Sequence, residues 1–234
     1  MKKTVLITGA SRGIGLSIAK LLASEKSDFE CVVMMGRASE KFDQTIENVR
    51  KSAVNCEVHA VEADLADVEF IDHVYDKLDA LGVRLTAIIN NAGYTKPASI
   101  TETLVADFQF TMQVNLFAPF QLIKMALHRK HPVKQIINIA STAGISGRSG
   151  WLSYSASKAA VINMSEVMRE ELRPQGIDVI CLSPGRCATD LRRTLAPEED
   201  PSTIMQPEQV AAVVQLMTSE TGRMLHSQNI VVRT

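Results

Sequence analysis

The chain's 234 residues, 46 % of them hydrophobic, are enough for one sizeable core and short for two full domains. Its 25 lysines and arginines face 26 aspartates and glutamates, a formal net charge of -1, which excludes the global basicity of a nucleic-acid binder and makes any electrostatic selectivity local. The four cysteines show no CxxC, no apolar run reaches the roughly 18 residues of a membrane span, and the opening MKKTVLITGASRG holds too few apolar residues for a secretion signal; a soluble, cytoplasmic chain with reduced thiols and no membrane partner is expected.

The first predicted strand, 4–8, runs into Thr8-Gly9-Ala10-Ser11-Arg12-Gly13-Ile14-Gly15 and then a helix, 14–26. Glycines there permit a tight turn and let backbone amides and a helix N-terminus approach a pyrophosphate; the alternative is a purely structural turn. The second strand, 31–35, ends Met34-Met35-Gly36-Arg37. A site for NAD carries an acid about 20 residues past its glycines, for the ribose 2'-hydroxyl. Here no acid follows until Glu40. Arg37 can instead pair with a 2'-phosphate, and Arg12 can approach the same group. Together they predict NADP, although either alone reads equally well as a solvated surface residue.

Helix 40–52, strand 57–61 and helix 68–80 follow, with Asp64-Leu65 in the connecting loop and Asp67 as a candidate cap. Strand 87–90 closes on Asn90-Asn91-Ala92-Gly93, where the amides can anchor neighbouring strands and the small residues leave room for a ligand. The helical region 102–130 contains Pro119, which predicts a break or a second helix start nearby. Strand 135–140 delivers Ser141, and helix 154–173 opens Ser153-Tyr154-Ser155-Ala156-Ser157-Lys158, with phenol and ammonium on one face. A carbonyl that accepts hydride needs a proton on its oxygen. A tyrosine supplies it when its pKa falls from about 10 toward operating pH, and a nearby cation favours the phenolate. Ser141 can donate a hydrogen bond to the same oxygen. A half-buried ring beside a solvated amine is the competing reading of this spacing.

Strand 178–182, helix 207–218 opened by Pro207, and strand 225–232 complete the alternation. Several strands lack a polar face, as expected of a parallel sheet covered on both sides. The prediction is one α/β domain over 1–234, a doubly wound Rossmann fold with a mostly parallel seven-stranded sheet flanked by helices. Residues 183–206 form the longest segment without assigned structure, a length typical of a loop that binds or closes over something.

GxxxGxG, NNAG, Asn115, Ser141, Tyr154, Lys158 and Pro184-Gly185, in this order and approximate spacing, resemble the short-chain dehydrogenase/reductase family over nearly the whole chain. The resemblance implies that Asn115 helps hold a water in a proton relay, Ser141 binds the carbonyl, Tyr154 is the acid or base, and Lys158 holds the nicotinamide ribose and tunes Tyr154. It also implies cofactor contacts at Gly9, Ser11, Arg12, Gly13, Ile14, Gly15, Arg37, Asn91, Ala92, Gly93, Pro184 and Gly185, an adenine contact at Asp64-Leu65, and a carboxamide contact at Thr189. Read alone, Asp64 is equally a polar loop residue, Asn115 a buried helix asparagine, and Thr189 a cap for a short helix starting at Asp190.

The substrate edge is unusually cationic, with Lys96, Arg148, Arg186, Arg192 and Arg193, relieved mainly by Trp151, Leu152 and Leu191. Either these cations face solvent or they bind a small anionic substrate such as a phosphorylated sugar or polyol. The segment 191–205 also bears some resemblance to reductases of a ketopentose 5-phosphate. A 3-oxoacyl-thioester reductase is the alternative enzyme, and a non-catalytic NADP-binding regulator or scaffold the alternative class. The histidines at 59, 73, 128, 131 and 226 show no ligand-like spacing, so no metal is expected. The chain closes on Asn229-Ile230-Val231-Val232-Arg233-Thr234 where family members often continue into a glycine-rich tetramer contact. A homodimer through the helical regions 102–130 and 154–173 is therefore expected over a tetramer.

Overall fold

In a computed structural model, which describes residues 2–225 and 229–233, strands and helices alternate along the chain. They are β1 (Thr4–Thr8), α1 (Gly13–Leu22), β2 (Cys31–Gly36), α2 (Glu40–Ser52), β3 (Glu57–Glu62), α3 (Phe70–Ala80), β4 (Ala87–Asn90), α4 (Val105–Met112), α5 (Ala118–His128), β5 (Gln135–Ile139), α6 (Leu152–Leu172), β6 (Asp178–Pro184), α7 (Asp190–Leu195), α8 (Pro207–Thr218) and β7 (Asn229–Val232). Of the predicted strand 225–232, residues 226–228 lie outside the described residues.

The strands form one seven-stranded sheet in the order β3-β2-β1-β4-β5-β6-β7, and every pair is parallel. Strand residues alternate between two cores because successive side chains leave opposite faces. Val5, Ile7, Val32 and Met34 meet Ile18, Phe42 and Val214 from α1, α2 and α8. Leu6, Val33, Ile88 and Ile136 meet Val74, Leu78, Leu122 and Leu172 from α3, α5 and α6. Both faces are covered, which explains why the strands read as unbroken apolar runs. The chain order reverses between β1 and β4, and it is outside the carboxyl ends of the strands at such a switch point that open sheets of this kind bind ligands.

Of the two outcomes open at Pro119, the second is found: a further helix, α5, starts at Ala118, and α4 runs into it without a break through a π-helical segment, Gln113–Phe117. The proline occupies the first turn of α5, where its missing N–H is tolerated, and the widened turn lies just before it. The segment 183–206 is more ordered than expected. It contains α7 and a short 3-10 turn at Pro201–Thr203, and its ends are tied together by hydrogen bonds from the Ala188 amide to the Met205 carbonyl (2.8 Å) and from the Met205 amide to the Arg186 carbonyl (3.2 Å).

Candidate active site

The glycine loop lies at the switch point. Gly9 (φ +66°) and Gly13 (φ +54°) occupy the left-handed region, and a Cβ on Gly15 would fall 2.3 Å from the Gly9 carbonyl oxygen. Thr8 Oγ1 accepts from the amides of Asn91 and Ala92, both at 3.0 Å, while Asn91 Nδ2 donates to the carbonyls of Thr8 (3.0 Å) and Gly9 (3.3 Å). NNAG and the glycine loop thus form one bonded unit. Asn90 has the anchoring role open to it in the sequence: its Nδ2 donates to Asn138 Oδ1, and Asn138 Nδ2 donates to Ser165 Oγ, each at 2.9 Å.

Asp64 Oδ1 accepts from the Ala66 amide at 3.0 Å, a local turn bond, and Leu65 packs in the core. Arg37 stands exposed just past β2. Arg12 is exposed too, with its Nε 3.5 Å from Asp190 on α7. Ser11 and Ile14 lie within the loop, half-buried.

The carboxyl end of β5 gathers the proton-transfer candidates. Ser141 follows the strand in extended conformation, and its Oγ accepts from the Ala143 amide at 3.1 Å. Tyr154 and Lys158 are buried on one face of α6. Lys158 Nζ lies 5.9 Å from the Tyr154 ring centroid and donates to the Ile139 carbonyl at 2.8 Å. Asn115 sits in the π segment, a geometry frequent at functional sites. Its Oδ1 accepts from the Tyr94 amide (2.7 Å), and its Nδ2 donates to the Tyr94 carbonyl and to Ser157 Oγ (both 2.9 Å). Ser157 Oγ in turn donates to the Tyr154 carbonyl at 2.8 Å. Tyr94 and Ser157 carry no signal of this kind in the sequence; only the folded chain reveals them.

Burial lowers Lys158 from the ordinary lysine value to about 8, with slight opposition from Cys181. Burial also pushes Tyr154 upward, opposed by a hydrogen bond with Ser141 and by the charge of Arg192. Proton donation near neutral pH calls for a depressed phenol. The protein alone does not depress it, because desolvation of a phenolate outweighs the groups arranged to stabilise it.

Gly93 stands among these residues. A Cβ added to Gly93 would meet Leu191 Cδ1 at 3.5 Å and Asn115 Oδ1 and Lys158 Nζ at 3.8 Å. A Cβ on Gly13 would meet Thr189 Cγ2 at 3.3 Å, so α7 also abuts the glycine loop. Thr189 caps α7 by accepting from the Arg192 amide at 3.1 Å. Pro184 ends β6 and the Gly185 amide donates to the Val232 carbonyl at 2.8 Å.

The cationic edge is largely neutralised from within. Arg192 makes a two-pronged pair with Glu199, Nε to Oε2 at 2.5 Å and Nη2 to Oε1 at 2.7 Å. Arg186 reaches the same carboxylate at 3.4 Å, Arg193 pairs with Asp190 at 3.4 Å, and Lys96 with Asp107 at 2.8 Å. Arg148 and Arg192 lie over Trp151, their guanidinium carbons 5.7 and 5.4 Å from its ring centroid. Glu199, like Tyr94 and Ser157, gains its role only in the folded chain; the run Glu198-Glu199-Asp200 was the available signal. Away from this edge, at the amino ends of β2 and β3, ligand atoms of Cys31, Glu57 and His59 lie within 4.8 Å of one another, with Glu57 held by Lys2 at 2.5 Å and His59 at 3.2 Å. Among the described residues no helix is long and apolar enough to cross a membrane.

A parallel sheet with a glycine loop at its switch point, a half-buried serine and a buried tyrosine and lysine beside it defines a dinucleotide-dependent oxidoreductase. The family model of the short chain dehydrogenases matches residues 3–200. The chain is 30 % identical over 239 residues to a 3-oxoacyl-[acyl-carrier-protein] reductase of Aquifex aeolicus, covering 96 % of this chain and 95 % of that protein. It is 32 % identical over 226 residues to the same-named enzyme of Synechocystis sp., covering 93 % and 90 %. A solved Beutenbergia cavernae structure, assigned provisionally as an NAD(P)-dependent gluconate 5-dehydrogenase and holding NADP at low occupancy, superposes with a TM-score of 0.86 at 26 % identity, covering 98 % and 94 %. The chain belongs to the short-chain dehydrogenase family.

Proposed function

We propose that the chain reduces a carbonyl to an alcohol with NADPH, and that the carbonyl is that of a 3-oxoacyl thioester. The observation that carries the reaction type is the meeting of Ser141 and Lys158 at Tyr154, beside the space left by Gly93. The residues present suit the cofactor. The amides of 9–15 would take the pyrophosphate, with Ser11 beside it; Arg12 and Arg37 the 2'-phosphate; Asp64 and Leu65 the adenine; Ile14, Asn91, Ala92, Gly93, Pro184 and Gly185 the nicotinamide surroundings; Lys158 the ribose; and Thr189 the carboxamide. When bound, NADPH supplies the hydride.

The chain's own work is proton delivery. Ser141 Oγ donates a hydrogen bond to the substrate's carbonyl oxygen and orients it, and that bond strengthens as negative charge gathers there. Tyr154 Oη gives its proton to the same oxygen. The Lys158 ammonium stabilises the phenolate left behind, and Asn115, bonded to Tyr94 and Ser157, holds the water through which the proton is replaced.

Two relatives named as 3-oxoacyl reductases support the thioester, as does the Arg192–Glu199 pair, whose occupied fork has little left for a phosphate. A small anionic sugar-type substrate is the second reading. It is favoured by the exposed Arg193, 75 % accessible, and by the likeness to the gluconate-type structure. A panel of 3-oxoacyl thioesters and ketose phosphates, followed by NADPH absorbance, separates them. Activity on thioesters alone supports the first reading, activity on ketose phosphates alone overturns it, and NADPH binding without turnover of any member revives a non-catalytic binding role. A homodimer over α4, α5 and α6 belongs to the same proposal, supported by the exposed Phe110, Phe120 and Val167 on those helices and Phe117 in the π segment between α4 and α5. The four free thiols, three of them buried, support a reducing, cytoplasmic setting.

A further inference from the structure

Lys158 is not the only cation arranged around Tyr154. Arg192 arrives from α7, its guanidinium carbon 5.4 Å from the Trp151 ring centroid, and Trp151 meets Tyr154 edge to face with centroids 6.5 Å apart. The guanidinium is fixed there by two bonds to Glu199, and the two side chains are only 17 % and 16 % accessible. A planar fork bound at both prongs has one orientation, and partial burial reduces the screening of its charge by solvent. The same pairing makes Arg192 a poor clamp for a substrate anion, since its fork is already filled.

We propose that Arg192 is a second cation for Tyr154: stacked on Trp151 and held by Glu199, its guanidinium favours the phenolate form, and the Glu199 carboxylate moderates that effect. It acts through the tyrosine, so it is a positioning residue; the inference rests on the reading of Tyr154 as the proton donor. The direction agrees with the upward push on the phenol being opposed by Arg192. The other polar or charged groups around the pair are Ser141 at the end of β5, Lys158 on α6 with Cys181 of β6 beside it, Arg148 over Trp151, and Arg186 on Glu199. Asp190 is engaged with Arg12 and Arg193.

The test reads the phenol directly, without substrate or cofactor. The chain has three tyrosines, so labelling them with 13C at Cζ gives a small set of NMR signals, and Tyr154 is assigned by its loss in Tyr154→Phe. Arg192→Gln should raise the titration midpoint of Tyr154 by about half a pH unit or more, and Glu199→Gln should lower it by a similar amount. Arg192→Lys, which keeps the charge but not the fork, should stay near the parent. Shifts of opposite sign support the proposal. A merely structural latch would move both glutamine variants the same way, and that result, or no shift, overturns it. Turnover of Tyr154→Phe tests the proton-donor reading separately: if it is retained while the opposite shifts are seen, the electrostatic coupling stands and the donor role fails.

Discussion

Lys158 Nζ donates to the carbonyl of Ile139, the last residue of β5, at 2.8 Å. The bond ties the ammonium to the strand that delivers Ser141 and keeps it beside the Tyr154 ring. A lysine buried this deeply holds its proton less firmly, to about 8. Reduction needs the protonated pair, so its rate should be level below pH 8 and fall by about tenfold per unit above it. The pH profile of kcat checks this; Lys158→Met should lose that limb together with at least about a hundredfold in rate.

Gly93 and Gly15 should separate cofactor binding from folding. A methyl at Gly93 meets its neighbours at 3.5–3.8 Å, ordinary contact distances, but it would stand where the nicotinamide is proposed to lie. Gly93→Ala should keep the parent's urea midpoint and lose about tenfold or more in NADPH affinity. Gly15→Ala drives a methyl to 2.3 Å from the Gly9 carbonyl oxygen and 2.4 Å from Asn91 Nδ2, and should lower the midpoint itself.

Arg37→Asp should reverse the nucleotide preference. An acid there can bond a ribose 2'-hydroxyl and repels a 2'-phosphate. Fluorescence titration should show NADPH affinity falling relative to NADH; equal affinity of the parent for both nucleotides would contradict the assignment of Arg12 and Arg37.

His131 gives the fold an acid sensitivity. It is buried, its Nδ1 accepts from the Leu85 amide at 2.9 Å, and its ring meets Tyr75 edge to face. Burial lowers its pKa from 6.5 to about 4, so the unfolded chain binds a proton that the folded chain refuses. This contribution to stability is complete above pH 6.5 and is lost as pH falls toward 4, about 2 kcal/mol of it between pH 7 and 5. Urea midpoints at the two pH values check this; His131→Gln, which does not titrate, should show a smaller decline.

The elements were legible in the sequence because a covered parallel sheet leaves strong marks: apolar runs such as 31–35 and 178–182 separated by helical periods. Ser141, Tyr154 and Lys158 were legible through their order along the chain, and the structure brings them to one place. The π segment at Gln113–Phe117 was not, because a widened turn changes hydrogen bonding without changing composition; Pro119 marked only the helix start that follows it. The pairing of Arg192 with Glu199 was hidden for another reason. The two are seven residues apart, on α7 and past its end at Leu195, so no helical spacing links them. Charges counted along a chain cannot show which ones are already satisfied. Thr189 was legible in its plainer sense, as the cap of a helix beginning at Asp190.

The central claim is that Tyr154 protonates the carbonyl oxygen during reduction with NADPH. Once the substrate panel has identified a reducible member, Tyr154→Phe should be measured in single turnover, with NADPH affinity determined alongside. The account predicts a rate lower by about a hundredfold to ten-thousandfold with NADPH affinity within about twofold of the parent. An unchanged rate, with the cofactor bound as before, would contradict it.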